Sequence, residues 1–196
     1  MIVSSSTSPV TPEFARVCWR SQERYAKRTG HQFAAHSVSR AMGDFEHRIP
    51  VMLGHPDDVM LYLEWDIFAE EDAPDLTAML GDNDIMLPAF GNDALNTLCP
   101  ALRFPWHIIG VILVRRGILA ELERIRSHCH PYARRMPSVA AHYECTVLMA
   151  IQQGGYKLGT FPPHVHRFCG DSNPAWFRHF EGQSKNQIIH HASSRP

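Results

Sequence analysis

Two carboxylates one residue apart, Glu64 and Asp66, close the apolar run Met60-Leu61-Tyr62-Leu63 within "VMLYLEWDIF". In an extended strand residues i and i+2 face the same side, so the pair is expected to project together with Trp65 on the opposite face. Ligands of open α/β sheets collect beyond the carboxyl ends of strands. Two acids placed there suit a hard divalent cation whose shell is completed by phosphate oxygens. A second pattern stands near the end of the chain, where "RHFEGQSK" spaces His179, Gly182 and Lys185 as H-x-x-G-x-x-K. Histidine ligates Mn²⁺ beside carboxylates, glycine permits close backbone approach or a positive φ, and lysine offers a compact charge to phosphate oxygens. Taken singly, each pattern also fits a plain surface: a solvated strand end running into an acidic turn, and an ordinary loop. The two together, in this order, are the informative combination.

An α/β scaffold is expected to position them. Met1-Ile2-Val3 reads as a short opening strand running into a serine-rich loop, Ser4 to Ser8. Thr11 is an N-cap with Pro12 at the first helical position, and Gly30 stops that helix before a second strand, "HQFAAHSV". Strand, helix and strand in that order predict a parallel unit. A third strand is expected over 59–66, after a mixed stretch in which Pro50 limits any helix. Further strands are expected at "DIMLPAF" and "IIGVILV", separated by an irregular region over 91–105. Ile118, Leu119, Leu122 and Ile125 then share a helical face. Ser138 caps another helix with Val139, Tyr143, Val147 and Ile151 inward, ended by Gly154-Gly155. Short strands are expected in "YKLGTFP" and "AWFRHFEG". "HCHP" reads as a loop, "HVHRF" as an extended segment with two histidines beside the site, and residues from about 187 to 196 as a flexible tail.

The bulk properties are those of a globular protein. The 196 residues, 44% hydrophobic and 20% charged, suffice for a single domain over 1–196 with a real core. A net charge of -1 argues against a broad nucleic-acid or membrane surface. The longest apolar run, "WHIIGVILV", is far too short to span a bilayer. Five scattered cysteines without a CxxC pair fit reduced thiols in a cytoplasm rather than a disulfide framework or a zinc ribbon.

With these segments in order, the chain resembles nucleotide-sugar glycosyltransferases of the GT-A fold, in particular the glycogenin-like and galactosyltransferase-like families. "VMLYLEWDIF" is similar to their "vlylDaDil" segment and "FRHFEGQSK" to their closing "HFxGxxK". "GVILVRRGILAELE" resembles their "GvflirN" strand and helix, and "HYECTVLMAIQQGGYKLGTFP" their late acidic helix and strand. The resemblance implies a Rossmann-like mixed sheet flanked by helices in one GT-A-like domain. It implies a nucleoside-diphosphate sugar donor, a UDP-sugar first, and Mn²⁺ (or Mg²⁺) held by Glu64, Asp66 and His179. It places Ser5 and Ser6 in the first nucleotide-contacting loop and Arg48 where relatives carry a cation for phosphate or base. Trp65, Gly182 and Lys185 join them around the donor. It gives Lys185 and Glu144 catalytic roles, Lys185 stabilising the leaving phosphate and Glu144 near the sugar, and it leans towards retention of configuration. The acceptor stays open, a modified nucleic acid included. Plainer readings stand beside these: Arg48 as a solvated surface residue, the serines as a turn, and Glu144 as a helix-end charge.

Two departures bear on that resemblance. Glu64 stands where the family has aspartate, and Ile108 where it has asparagine; these motivate a second reading, a non-catalytic nucleotide-binding pseudoenzyme. "GHPDD" motivates a third, because it resembles the "AHPDD" segment of zinc-dependent N-deacetylases of the LmbE type. There His55 and Asp58 would bind zinc, with Pro56 between them and Asp57 as the base.

Overall fold

The computed structural model describes residues 1–6, 12–39, 46–90, 93–168, 173–180 and 187–193. Strand β1 (Ile2–Ser6), helix α1 (Pro12–Arg28) and β2 (Phe33–Ser37) form the expected parallel unit, with Gly30 at φ 78 ending the helical turn. On the other side of β1 lies β3 (Val59–Glu64), also parallel, and then β6 (Val111–Arg115), which runs antiparallel to it. β5 (Ile85–Pro88) and β7 (Leu158–Phe161) complete the mixed six-stranded order β2-β1-β3-β6-β5-β7. β3 and β6 are apolar and buried along almost their whole lengths because helices or loops cover both faces. One face packs under α4 (Arg116–Arg126) and α6 (Val139–Gln153), around Trp106, Tyr62 and Leu148. The other packs under Tyr25 of α1, Leu76, Leu80 and Phe177.

A smaller three-stranded sheet, in the order β4-β9-β8, adjoins this one. It comprises β4 (Ile67–Ala69), β8 (His166–Phe168) and β9 (Phe177–His179). The third strand therefore does not run to residue 66 as expected. It ends at Glu64, turns at Trp65-Asp66 and re-emerges as β4 in the second sheet. Ser4, Ser5 and Ser6 are not in a loop either. They continue β1 and are buried, because Trp19 Nε1 donates to Ser4 Oγ at 2.9 Å and Ser5 Oγ pairs with Tyr62 Oη at 3.0 Å.

Other departures have similarly local causes. Helix α2 (Arg48–Leu53) contains Pro50, which lies in the first turn, where a missing N–H breaks no intrahelical bond. Within 91–105 stands α3 (Asp93–Leu98), and "HCHP" opens α5 (His130–Ala133), with proline in its first turn. Ser138 caps α6 by accepting from Ala141 N, but Val139 is 69% exposed, the apolar stripe beginning one turn later at Tyr143. The tail is helical over α7 (Gln187–Ser193). Ile188 is buried with Cys18, Phe68 and Phe180, and His191 Nε2 meets Glu70 Oε1 at 2.9 Å. Thr11 lies outside the described residues. No helix among those described is long and apolar enough to cross a membrane.

Candidate metal centre

The hand-over from β3 to β4 puts Glu64 and Asp66 where the two sheets meet, at the carboxyl ends of the parallel strands β1 and β3, with Ser5 paired to Glu64. β9 runs antiparallel to β4, pairing His179 with Ile67. His179 Nε2 consequently lies 3.2 Å from Asp66 Oδ1 and 3.5 Å from Glu64 Oε2. Among the described residues these three form the one His/Cys/Asp/Glu group with ligand atoms all within 4.8 Å of one another.

Each ligand's backbone is fixed. Glu64 N donates to Gly110 O at 2.9 Å, and Phe180 N to Asp66 O at 3.0 Å. Gln22, buried on α1, donates through Nε2 to Glu64 O and to Ile67 O, both at 2.8 Å, so a single amide clamps both ends of the turn. Replacing Gln22 by leucine, of similar volume, leaves both carbonyls unpaired. That substitution is expected to lower stability by about 1–3 kcal/mol in chemical denaturation. An unchanged midpoint would show that water takes over the clamp.

The cluster leaves room that only glycine leaves. A Cβ at Gly110 would stand 3.1 Å from Glu64 Oε2 and 3.3 Å from the His179 ring. Two carboxylate oxygens and an imidazole nitrogen around such a cradle fit Mn²⁺ or Mg²⁺ rather than a thiolate-seeking ion. Gly110→Ala is expected to push both side chains apart by a few tenths of an ångström and to weaken Mn²⁺ binding about tenfold while the protein stays folded. A Mn²⁺ titration followed by EPR, with a melting curve alongside, checks this.

Behind the ligands lies a buried charged network. Arg48, 3% exposed, pairs its Nη2 with Glu64 Oε1 and reaches Ile109 O from Nη1 at 3.4 Å. It is an internal counter-ion, not a surface residue. Burial pushes the Glu64 carboxyl up, the Arg48 guanidinium opposes this, and neighbouring Asp66 adds to it. Glu144, on α6, accepts from Trp106 Nε1 at 2.9 Å, and its carboxyl is pushed up by burial to about 7. A carboxyl raised in the fold holds a proton there that the unfolded chain releases, so its contribution weakens as pH rises from 4.5 to about 7. Glu144→Gln keeps the acceptor for Trp106 and is expected to remove that decline, worth roughly 1–3 kcal/mol over the window. Denaturation at pH 5 and pH 8 measures it, and equal slopes for variant and parent would assign the decline elsewhere.

On the far side of His179, Phe168 stacks on the ring at 5.2 Å and 20°, and His166 Nε2 stands 3.2 Å from His179 Nδ1. Burial drives the His166 pKa well below the usual histidine value, with His179 adding to the effect. "HVHRF" thus supplies one site histidine, His166, whereas His164 is exposed and packs edge-on against Trp176. Trp65 is half-buried in the turn. Gly182 and Lys185 lie outside the described residues. Sequence reasoning missed Gln22, whose available signal was an uncharged amide on the inward face of an amphipathic helix. The N-deacetylase segment scatters: His55 Nε2 meets His36 Nε2 at 2.9 Å, Asp57 faces the N-terminal amine at 3.6 Å, and Asp58 is exposed.

No protein-family model and no curated protein matches the chain. Solved structures do. A glycosyltransferase involved in the glycosylation of the major capsid of PBCV-1 matches with a TM-score of 0.71 at 14% identity, over 98% of both chains. The galactosyltransferase LgtC, solved with donor and acceptor sugar analogs, matches with a TM-score of 0.62 at 13% identity, over 99% of this chain and 96% of its own. Mouse xyloside xylosyltransferase 1 matches with a TM-score of 0.59 at 8% identity, over 93% and 96%. At these identities the likeness is one of fold, and the fold is the GT-A fold of glycosyltransferases.

Proposed function

We propose that the protein is a metal-dependent glycosyltransferase that moves a sugar from a nucleoside diphosphate, UDP first, to an acceptor. The observation that carries this is the convergence of Glu64, Asp66 and His179, from two distant chain segments, at the carboxyl edge of the parallel strands. The fold supports it, since the matched structures are glycosyltransferases and LgtC was solved with donor and acceptor sugar analogs. Asp66, His179 and Glu64 would hold Mn²⁺ or Mg²⁺, which when bound supplies Lewis-acid stabilisation of a leaving diphosphate. Lys185 adds positive charge for the same oxygens, and Gly182 gives them backbone access. Arg48 aims the Glu64 carboxylate and opposes the rise in its pKa that burial causes, acting on the donor through that group. The Trp65 ring lines the donor side of the turn, and Ser5 and Ser6 form the floor beside Glu64. Glu144, half-buried behind Arg48, orients the donor through that network, and transfer proceeds with retention, as in the families with the H-x-x-G-x-x-K ending. The complete ligand set favours turnover over bare nucleotide binding. The free thiols of Cys18, Cys99, Cys129 and Cys145 fit a reducing cytoplasm.

Thermal unfolding with UDP, GDP, ADP and CMP, each with and without Mn²⁺, tests the reading. A ligand that binds only the folded state raises its stability, by about 2.7 kcal/mol at a hundredfold excess over Kd. The expected result is a shift that needs UDP and Mn²⁺ together. A shift with Zn²⁺ alone and none with any nucleotide would overturn it.

A further inference from the structure

We infer that His166 is a positioning residue for His179, accepting the Nδ1 proton of that ring so that its Nε2 lone pair faces Glu64 and Asp66. This rests on the metal-dependent reading above. Imidazole ligates a cation through an unprotonated nitrogen, and which nitrogen that is depends on the hydrogen bond made by the other. The His179 nitrogen facing the carboxylates is Nε2, at 3.2 and 3.5 Å, and the nitrogen facing away is Nδ1, 3.2 Å from His166 Nε2. Both rings are buried and their centroids lie 5.3 Å apart at 70°, so bulk water is no ready substitute partner. The Phe168 face stacked on His179 sets the plane of the ring but offers no acceptor.

Without a cation, His179 can carry its proton on Nε2, which stands 3.2 Å from Asp66 Oδ1, with His166 Nε2–H donating to Nδ1. With Nε2 given to a cation, Nδ1 must carry the proton, and it then donates to His166 Nε2. The proton leaving His179 Nε2 is offset by one gained at His166 Nδ1, both exchanged with water, so each ring stays neutral. Without an acceptor at position 166, the Nδ1–H of the ligating tautomer would lose the hydrogen bond that His166 offers it, and the ligating form would be disfavoured.

Mn²⁺ alone, titrated into the full chain and followed by EPR, tests this with two variants and one spectrum. His166→Phe keeps an aromatic ring but removes the acceptor, and is expected to weaken Mn²⁺ binding about 10–100-fold. His166→Gln restores an acceptor and is expected to bind within roughly threefold of the parent. Nitrogen-15 NMR of the Mg²⁺-loaded parent is expected to show His179 protonated at Nδ1. Unchanged affinity in His166→Phe overturns the inference. So does equal weakness of both variants, which would assign the loss to packing, or a Mg²⁺-loaded His179 lacking the Nδ1 proton. The NMR result decides even where a variant fails to fold. Failure of the parent itself to bind Mn²⁺ would overturn the metal reading, and the inference with it.

Discussion

Asp66→Asn is expected to lower Mn²⁺-dependent sugar transfer by roughly a thousandfold or more while leaving the protein folded, a loss of about 4 kcal/mol in transition-state stabilisation. The size follows from the charge distribution. Glu64 shares its carboxylate with the buried Arg48 guanidinium, so that pair presents little net charge to the site. Asp66, 4% exposed, is the second carboxylate of the cluster, with its Oδ1 3.2 Å from His179 Nε2. Asparagine has the same shape, so packing and the Phe180 N to Asp66 O bond are retained. What remains is an amide, an imidazole and a carboxylate already paired with a guanidinium, a weak set for a divalent cation. Donor turnover and a Mn²⁺ titration on the same sample, with a melting curve to establish folding, measure the effect. Transfer within tenfold of the parent would remove Asp66 from the metal centre. An N-deacetylase working through Asp57 and Asp58 would be indifferent to the change.

What could be read in the chain, and what could not, divides along the range of the interactions. Helix faces and caps are local, so the stripe Leu119, Leu122 and the Ser138 cap were open to inspection, as was the parallel β1-α1-β2 unit. The convergence of Glu64, Asp66 and His179 could be anticipated because carboxylates and histidine carry their chemistry in their type. Its geometry was reached by another route. Glu64 and Asp66 meet the same imidazole across a turn between two sheets, not as i and i+2 of one strand, and no local pattern announces that hand-over. Ser4–Ser6 look like a loop until Trp19 and Tyr62 arrive to satisfy their hydroxyls inside the sheet. The tail looks frayed until Ile188 finds Cys18, Phe68 and Phe180. Gln22 is invisible as a site residue for the same reason, since it acts only through partners far away in sequence, whereas "HVHRF" points to the site but not to which histidine reaches His179.

Arg48 is the residue for which this distinction has the largest energetic consequence. From its type alone a solvated arginine and a phosphate contact are both sound readings, but its place behind Glu64 makes it the counter-ion of a carboxylate in the candidate metal cluster. Arg48→Met, which keeps the length of the side chain, is expected to destabilise the protein by about 3–5 kcal/mol near neutral pH, because it leaves the largely covered Glu64 carboxylate without its guanidinium partner. The sign of the accompanying pH dependence is determinate. An unpaired buried carboxyl has a pKa above its unfolded value, so the variant binds a proton when folded that it releases on unfolding. Its stability deficit should therefore be smallest below about pH 4.3, the ordinary glutamate value, and grow as pH rises towards neutrality. Two additions should shrink the deficit for the same reason: Glu64→Gln in the same chain, which removes the stranded charge, and Mn²⁺, which supplies a replacement cation. Urea denaturation of the single and double variants at pH 4 and 7, with and without Mn²⁺, reads all three effects. A deficit independent of pH and of Glu64 would mean that Arg48 contributes through its packing over Tyr143, 5.5 Å from the ring centroid, and that the charge of Glu64 is neutralised by other means.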